Sequence, residues 1–321
     1  MLRHVLRRLV QMIPLLLGIT ILSFLIIQLS PGDFLAEIRL NPVVSQETVD
    51  QMRANFGLDR PLHIQYLRWL GNILRGDFGY SFAFQVPVLW LIKSRLLNTL
   101  LLSVTSLIIA WLIAIPIGIH AATHQYSPSD NLLSFTAYVG ISTPTFFSGL
   151  LLLYGAFRTG WLPIGGMTSL DYDLFPWYGK VLDVAQHLVI PASVLAFLTV
   201  AGLMRQMRGN LLEVLRQDYV KTARAKGLSG RIVIYKHAVR NAINPLITIF
   251  GLELGGLLGG AAILENVVSW PGLGQLILDS VVRKDLYVVM ASLVFGGVTL
   301  VVGNLIADLL LAVSDPRIRY D

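Results

Sequence analysis

Apolar positions in this 321-residue chain fill whole stretches instead of recurring at the spacing of a half-buried helix or strand. Residues 9–29, 96–121, 131–157, 187–204, 243–264 and 286–313 form six runs with no Lys or Arg and at most one carboxylate each. At about 1.5 Å per residue, the 21 residues of the first run reach about 31 Å, enough to cross a hydrocarbon core of roughly 30 Å. Six spans are therefore expected. Arg3, Arg7 and Arg8 precede the first run, which gives it the shape of a signal anchor. A cleaved signal peptide would carry a shorter apolar core and a small-x-small site, and residues 28–32 (Gln-Leu-Ser-Pro-Gly) do not supply one.

Between the first two runs the pattern changes to a mixed, soluble-looking one. Ser45 can cap a helix carrying Val49, Met52 and Phe56 at helical spacing, and Gly57 can end it. After Pro61, residues Leu62, Tyr66, Trp69, Leu70 and Ile73 fall on one face of a second amphipathic helix. The expected organisation is an N-terminal transmembrane helix (1–30), an extracytoplasmic helical loop (31–95), a core transmembrane domain (96–313) with a polar loop at 205–242, and a tail (314–321). By themselves the two amphipathic helices are expected to lie on the membrane surface or on neighbouring helices.

Composition agrees with the pattern. A 55% hydrophobic and 14% charged chain, with mean hydropathy +0.66, is too apolar to clothe a soluble domain of this size, and an all-α membrane protein is expected. The net charge of +6 does not point to nucleic acid, because the basic residues flank apolar runs and lack interleaved aromatics. Their place is against the lipid membrane, where they set topology. With no cysteine, disulfides, thiolate metal sites and a Cys nucleophile are excluded.

The charge is concentrated in one place. From Arg205 to Arg240 nine Lys or Arg stand against Glu213 and Asp218, a balance of 9 − 2 = +7. This block lies on the same side as the N-terminal arginines if six spans are counted, so both termini and the block are expected in the cytoplasm. An ordinary orienting loop would also be basic, but it needs neither this length nor the small residues Ala223, Ala225 and Gly227, which let a helix approach another surface closely. Ser229 and Gly230 mark a turn beyond them.

The block, DYVKTARAKGL from Asp218 to Leu228, resembles the cytoplasmic loop of permease subunits of ATP-driven, binding-protein-dependent importers, in the dipeptide/oligopeptide/nickel branch. PGD at 31–33, GDFGYS at 76–81, SWPGLGQL at 269–276 and DPRIRY at 315–320 extend the resemblance over the whole chain. It implies a type I importer permease arrangement of six helices, with the extracytoplasmic helices forming a lip that meets the binding protein. It also implies a coupling helix that docks in a groove of the ATPase, here through Asp218, Tyr219, Thr222, Ala223, Arg224, Ala225, Lys226 and Gly227. The implied partners are a second homologous permease, two ATP-binding subunits holding ATP and magnesium, an extracytoplasmic solute-binding protein and a short peptide or related solute. No cofactor is implied on this chain itself. The chain departs from the general Glu-Ala-Ala pattern, with Lys221, Thr222 and Ala223 at those positions and Asn244 before Pro245.

Within the spans, Gly251, Gly255 and Gly259, with Gly256 and Gly260 one residue over, form a small-xxx-small face. That face suits either packing inside one bundle or the wall of a partner interface or conduit. Glu253 between them marks a pathway or a polar helix contact. Asp308, nearer the end of the last run, suits a structural hydrogen bond or an interfacial ion pair. Asp171, Asp173 and Asp183 fall in the polar stretch 158–186 and are expected to be solvated, not metal ligands. There is no Gly-x4-Gly-Lys-Ser/Thr loop, no Gly-x-Ser-x-Gly elbow and no His-Glu-x-x-His helix, so an ATPase or hydrolase role is not expected. Two classes remain: an importer permease, and a secondary transporter or channel driven through Glu253 and Asp308. The second would be expected to show inverted repeats with broken helices in matching halves.

Overall fold

The structure is a computed structural model that describes residues 2–29, 45–47, 51, 59–81, 83–256 and 262–314. The chain divides into two compact units, Met1–Asn98 with Gly272–Thr299, and Thr99–Pro271 with Leu300–Asp321.

In the first unit, α1 (Leu2–Leu29) is one continuous helix through Pro14. The amphipathic helix expected after Pro61 is α2 (Leu62–Leu74). Its buried side is Trp69, flanked by Tyr66 and Ile73, against Phe24, Met290 and Val294, while Leu62 is exposed. It therefore packs on neighbouring helices, and the Tyr66 hydroxyl meets Thr20 Oγ1 at 2.9 Å. The companion helix expected after Ser45 lies largely outside the described residues. GDFGYS opens a two-stranded ribbon, β1 (Tyr80–Ser81) with β2 (Val86–Pro87), the one sheet among the described residues. Gly76 and Gly79 both have positive φ, and a Cβ on Gly79 would lie 3.0 Å from the Tyr287 ring. Asp285, fully buried, accepts from Ser81 Oγ at 2.6 Å and Ala83 N at 3.1 Å, which ties the ribbon to the start of the last helix.

The second unit holds most of α3 (Val88–Thr123), then α4 (Pro128–Ser142), α5 (Thr145–Thr159) and α6 (Trp177–Leu215). After them come α7 (Asp218–Ala225), a π-helical stretch (Ile232–Ala238) and α8 (Val239–Ala242). Next are α9 (Asn244–Gly256) and α10 (Ala262–Val267). Finally, α11 (Leu273–Val282) belongs to the first unit, and α12 (Leu286–Ser314) is the last helix.

The expected spans are realised unevenly. Among the described residues three helices are long and apolar enough to cross a membrane, within Val88–Thr123, Trp177–Leu215 and Leu286–Ile306. The run 131–157, expected as one span, is two helices, α4 and α5, bent by 104°. Thr143 is extended (ψ 123°) and Pro144 caps α5. The cause is local: the proline ring disfavours a helical Thr143 and removes an amide donor. Of the run 243–264, α9 and α10 make up the described part, and 257–261 lie outside the described residues. Large apolar residues such as Leu112, Phe135 and Phe157 are exposed, as they are in a chain solvated by lipid tails.

Packing in this unit uses glycines that the hydropathy pattern does not single out. A Cβ on Gly118 would stand 2.8 Å from Met207 Cβ, one on Gly140 3.2 Å from Ala201 Cβ, and one on Gly149 2.8 Å from Leu264 Cδ1. These glycines bring α3 and α4 onto α6, and α5 onto α10. Glu265, fully buried, accepts from Thr99 Oγ1 at 2.7 Å.

Asp183 corrects the expectation of a solvated cluster. It is buried on α6, accepts from Ser169 N at 2.9 Å and from Ser169 Oγ, and lies beside His187. Asp171 and Asp173 are exposed.

Candidate coupling site

The stretch 205–242, expected as a loop, begins as helix, since Arg205 to Leu215 are the last turns of α6. Arg216 and Gln217 close its last turn on the Glu213 and Val214 carbonyls, and an extended Gln217 redirects the chain into α7. With only eight residues, α7 could not persist alone in water, so its stability must come from packing. Val220 (0% exposed) and Ala223 (7%) supply that packing in a core with Ile119, Ala122, Met207, Leu211, Val233, Ala238, Ala242 and Leu246.

The polar side of α7 faces outward: Lys221, Thr222, Arg224, Ala225 and Lys226 are all exposed. Lys221 Nζ donates to Asp218 Oδ1 at 2.8 Å, and this bond holds the Asp218 carboxyl below its ordinary range. Thr222 Oγ1 donates back to the Asp218 carbonyl at 2.9 Å. Tyr219 OH accepts from Asn241 Nδ2 at 2.8 Å, which links α7 to α8.

The three small residues thus have different local surroundings. Ala223 faces this chain's own core, whereas Ala225 faces outward. Gly227 has open space around it but a φ of +75°. Its amide closes on Arg224 O at 2.9 Å, and Leu228 N reaches Ala223 O at 3.4 Å, a left-handed helix end that favours glycine.

Beyond the turn the chain winds into the π-helical stretch, which places Val233 and Ala238, five residues apart, in the same core. Leu228, Ile232 and Tyr235 are exposed, as are Arg231, Lys236 and Arg240. The outer surface therefore presents both cationic and apolar side chains. Asn210 Nδ2 on α6 bonds the Ala242 carbonyl at 3.2 Å and closes the site from behind.

One pair beside the site was not legible in the sequence. Asp130, 1% exposed in the first turn of α4, receives Arg208 of α6 twice, Nε to Oδ1 and Nη2 to Oδ2, each at 2.8 Å. Tyr126 N also donates to Oδ2 at 2.9 Å, from a residue with φ +64°. Ser127-Pro128-Ser129-Asp130 signals a helix start in the sequence, and Ser127 Oγ indeed accepts from Asp130 N. Nothing local indicates that Arg208 is the partner.

Of the other candidate residues, Gly251, Glu253, Gly255 and Gly256 lie on α9, and Gly259 is outside the described residues. Glu253 is half-buried and has no hydrogen bond or ion pair among the described residues. The last helix passes through position 308, whose side chain lies outside the described set.

Comparison with known proteins decides the family. The description "Binding-protein-dependent transport system inner membrane component" matches residues 114–320, and its N-terminal companion matches residues 1–104. The chain belongs to this family. It is 45% identical over 319 residues to the oligopeptide transport system permease protein AppB of Bacillus subtilis (strain 168), with 99% of both chains covered. It is 36% identical to the di/tripeptide transport system permease protein DppB of Pseudomonas aeruginosa, covering 100% of this chain and 99% of that one. It is 39% identical to the glutathione transport system permease protein GsiC of Salmonella paratyphi A, with 100% of both covered. A solved structure of the MetNI methionine ABC transporter, in an inward-facing conformation, matches with TM-score 0.57 at 16% identity. The match covers 71% of this chain and 97% of that one, and it shows the fold. The chain is therefore an inner-membrane transport subunit with a type I importer permease fold, and it is not an enzyme.

Proposed function

We propose that this chain is one of two homologous permeases enclosing a peptide pathway, energised by two ATP-binding subunits that hold ATP and magnesium and supplied by an extracytoplasmic solute-binding protein. Peptide is favoured as cargo by relatives named for oligopeptides and di/tripeptides that match over nearly the full length. The observation that carries the coupling role is the two-sidedness of α7. Its apolar side is committed to this chain's core, which leaves Lys221, Thr222, Arg224, Ala225 and Lys226 as a presented surface. The outward Lys221 stands where the general family pattern has a carboxylate, so the groove receiving it should carry acidic groups.

In this reading both termini and the polar block are cytoplasmic, and the 31–95 segment faces the binding protein. Glu253, half-buried with no partner among the described residues and set among glycines in the sequence, faces the pathway and affects passage rather than recognition. The test is uptake of a labelled di- or tripeptide into proteoliposomes carrying the complete transporter. Uptake that requires ATP and the binding protein and survives collapse of ion gradients is expected. Uptake that follows an ion gradient without ATP would instead establish a secondary transporter.

A further inference from the structure

We propose that Asp130 and Arg208 are positioning residues for transport: they lock α4 to the polar extension of α6, so that a displacement of α7 reaches the bend between α4 and α5. The inference rests on α7 as the docking helix.

The geometry is that of a strut. Arg208 stands seven residues before Leu215, the end of α6, so about 10 Å of continuous helix separates it from the link to α7. Its guanidinium grips a carboxylate that is 1% exposed with two bonds of 2.8 Å. Two parallel bonds from a planar fork fix distance and orientation together, which a single bond or an apolar contact does not. A further amide from the α3–α4 turn, Tyr126 N, holds the same carboxylate.

A second point of fixation lies farther along the same two helices. Gly140 of α4 lies against Ala201 and Phe197 of α6, so closely that a Cβ would be 3.2 Å from each. Positions 130 and 140 are about 15 Å apart on a helix. Two antiparallel helices joined at points so separated cannot slide or roll past one another without breaking one of the contacts. The bend at Thr143 and Pro144 begins just past the second point. Motion entering α6 from α7 is therefore imposed on α4 and focused at that bend, where the backbone has no continuous helical ladder to resist it.

The experiment uses the complete transporter in proteoliposomes and reads peptide uptake per ATP hydrolysed, with ATPase subunit content as a control. Asp130→Asn and Arg208→Lys should retain the ATPase subunits and lower uptake per ATP by about tenfold, a usual size for coupling between sites. Arg208→Lys preserves the charge and removes only the fork, so it isolates geometry from electrostatics. Wild-type uptake per ATP in Arg208→Lys would overturn the proposal. So would a fall in assembled complex with an unchanged ratio, since that is the signature of a purely structural pair. Failure of the docking reading is distinguishable, because Ala225→Leu on the outward face of α7 would then leave the ATPase subunit content at the wild-type level.

Discussion

Ala223 and Ala225 are two residues apart on α7 and chemically identical, yet the structure assigns them opposite fates, which makes them a sharp probe of the coupling site. Ala223 is 7% exposed in a core with Val220, Met207 and Leu211, whereas Ala225 is exposed. Leucine adds three carbons. Were there room for them, each buried methylene would gain about 0.8 kcal/mol, roughly 2.4 kcal/mol in all. At Ala223 the neighbouring side chains already fill the space, so the added volume must displace them, at a cost of about 1–3 kcal/mol. At Ala225, which is exposed, the same substitution should change stability by no more than about 0.5 kcal/mol. Thermal unfolding of the purified permease is expected to show a lowered midpoint for Ala223→Leu and a wild-type midpoint for Ala225→Leu. Recruitment of the ATPase should show the reverse order of severity per folded molecule, because only Ala225 lies on the presented surface. Equal midpoints for the two variants, or a destabilised Ala225→Leu with intact docking, would refute the assignment of faces.

Other expectations follow from the same geometry. Gly227→Ala should destabilise the end of α7 by about 1–2 kcal/mol because φ is +75° there, and Gly227→Asn should cost less, since Asn tolerates the left-handed region; helix-end protection in hydrogen exchange would show both. Gly118→Leu should lower thermal stability by about 1–3 kcal/mol, because a Cβ already stands 2.8 Å from Met207. Asp183→Ala strands the Ser169 amide and hydroxyl, at about 1–3 kcal/mol, and should speed proteolytic clipping between Gly160 and Phe175. Glu253→Gln should change the maximal uptake rate while leaving its concentration dependence, set by the binding protein, nearly unaltered. Because Lys221 lowers the Asp218 pKa, any stabilisation from that pair is present above the ordinary value of 3.8 and is lost only as pH falls through the still lower folded value, so coupling should not vary near neutral pH through this pair.

The membrane class and the polar block were legible in the sequence, because hydrocarbon imposes a length and a composition on every segment that crosses it. So was α2, whose buried residues recur at helical spacing. The start of α4 could be read from Ser127 and Pro128, since capping is a contact between near neighbours. The motifs between Asp218 and Leu228 likewise carried the family. What the sequence could not order was the use of residues brought together from distant positions. Ala223 and Ala225 look interchangeable until the core of Val220, Val233 and Ala238 shows which side of α7 is inward. Gly227 looks in the sequence only like a small residue, and its φ adds that it closes a helix. Asp183 looks solvated until Ser169 and His187 surround it, and the 131–157 run looks continuous although Pro144 breaks it. Asp130 and Arg208, separated by 78 positions, meet only because Gly118 and Gly140 let α3 and α4 press against α6. Hydropathy responds to the solvent around a segment, one residue at a time, whereas these pairings depend on the crossing of helices, and a crossing is set by side-chain volumes on both partners at once.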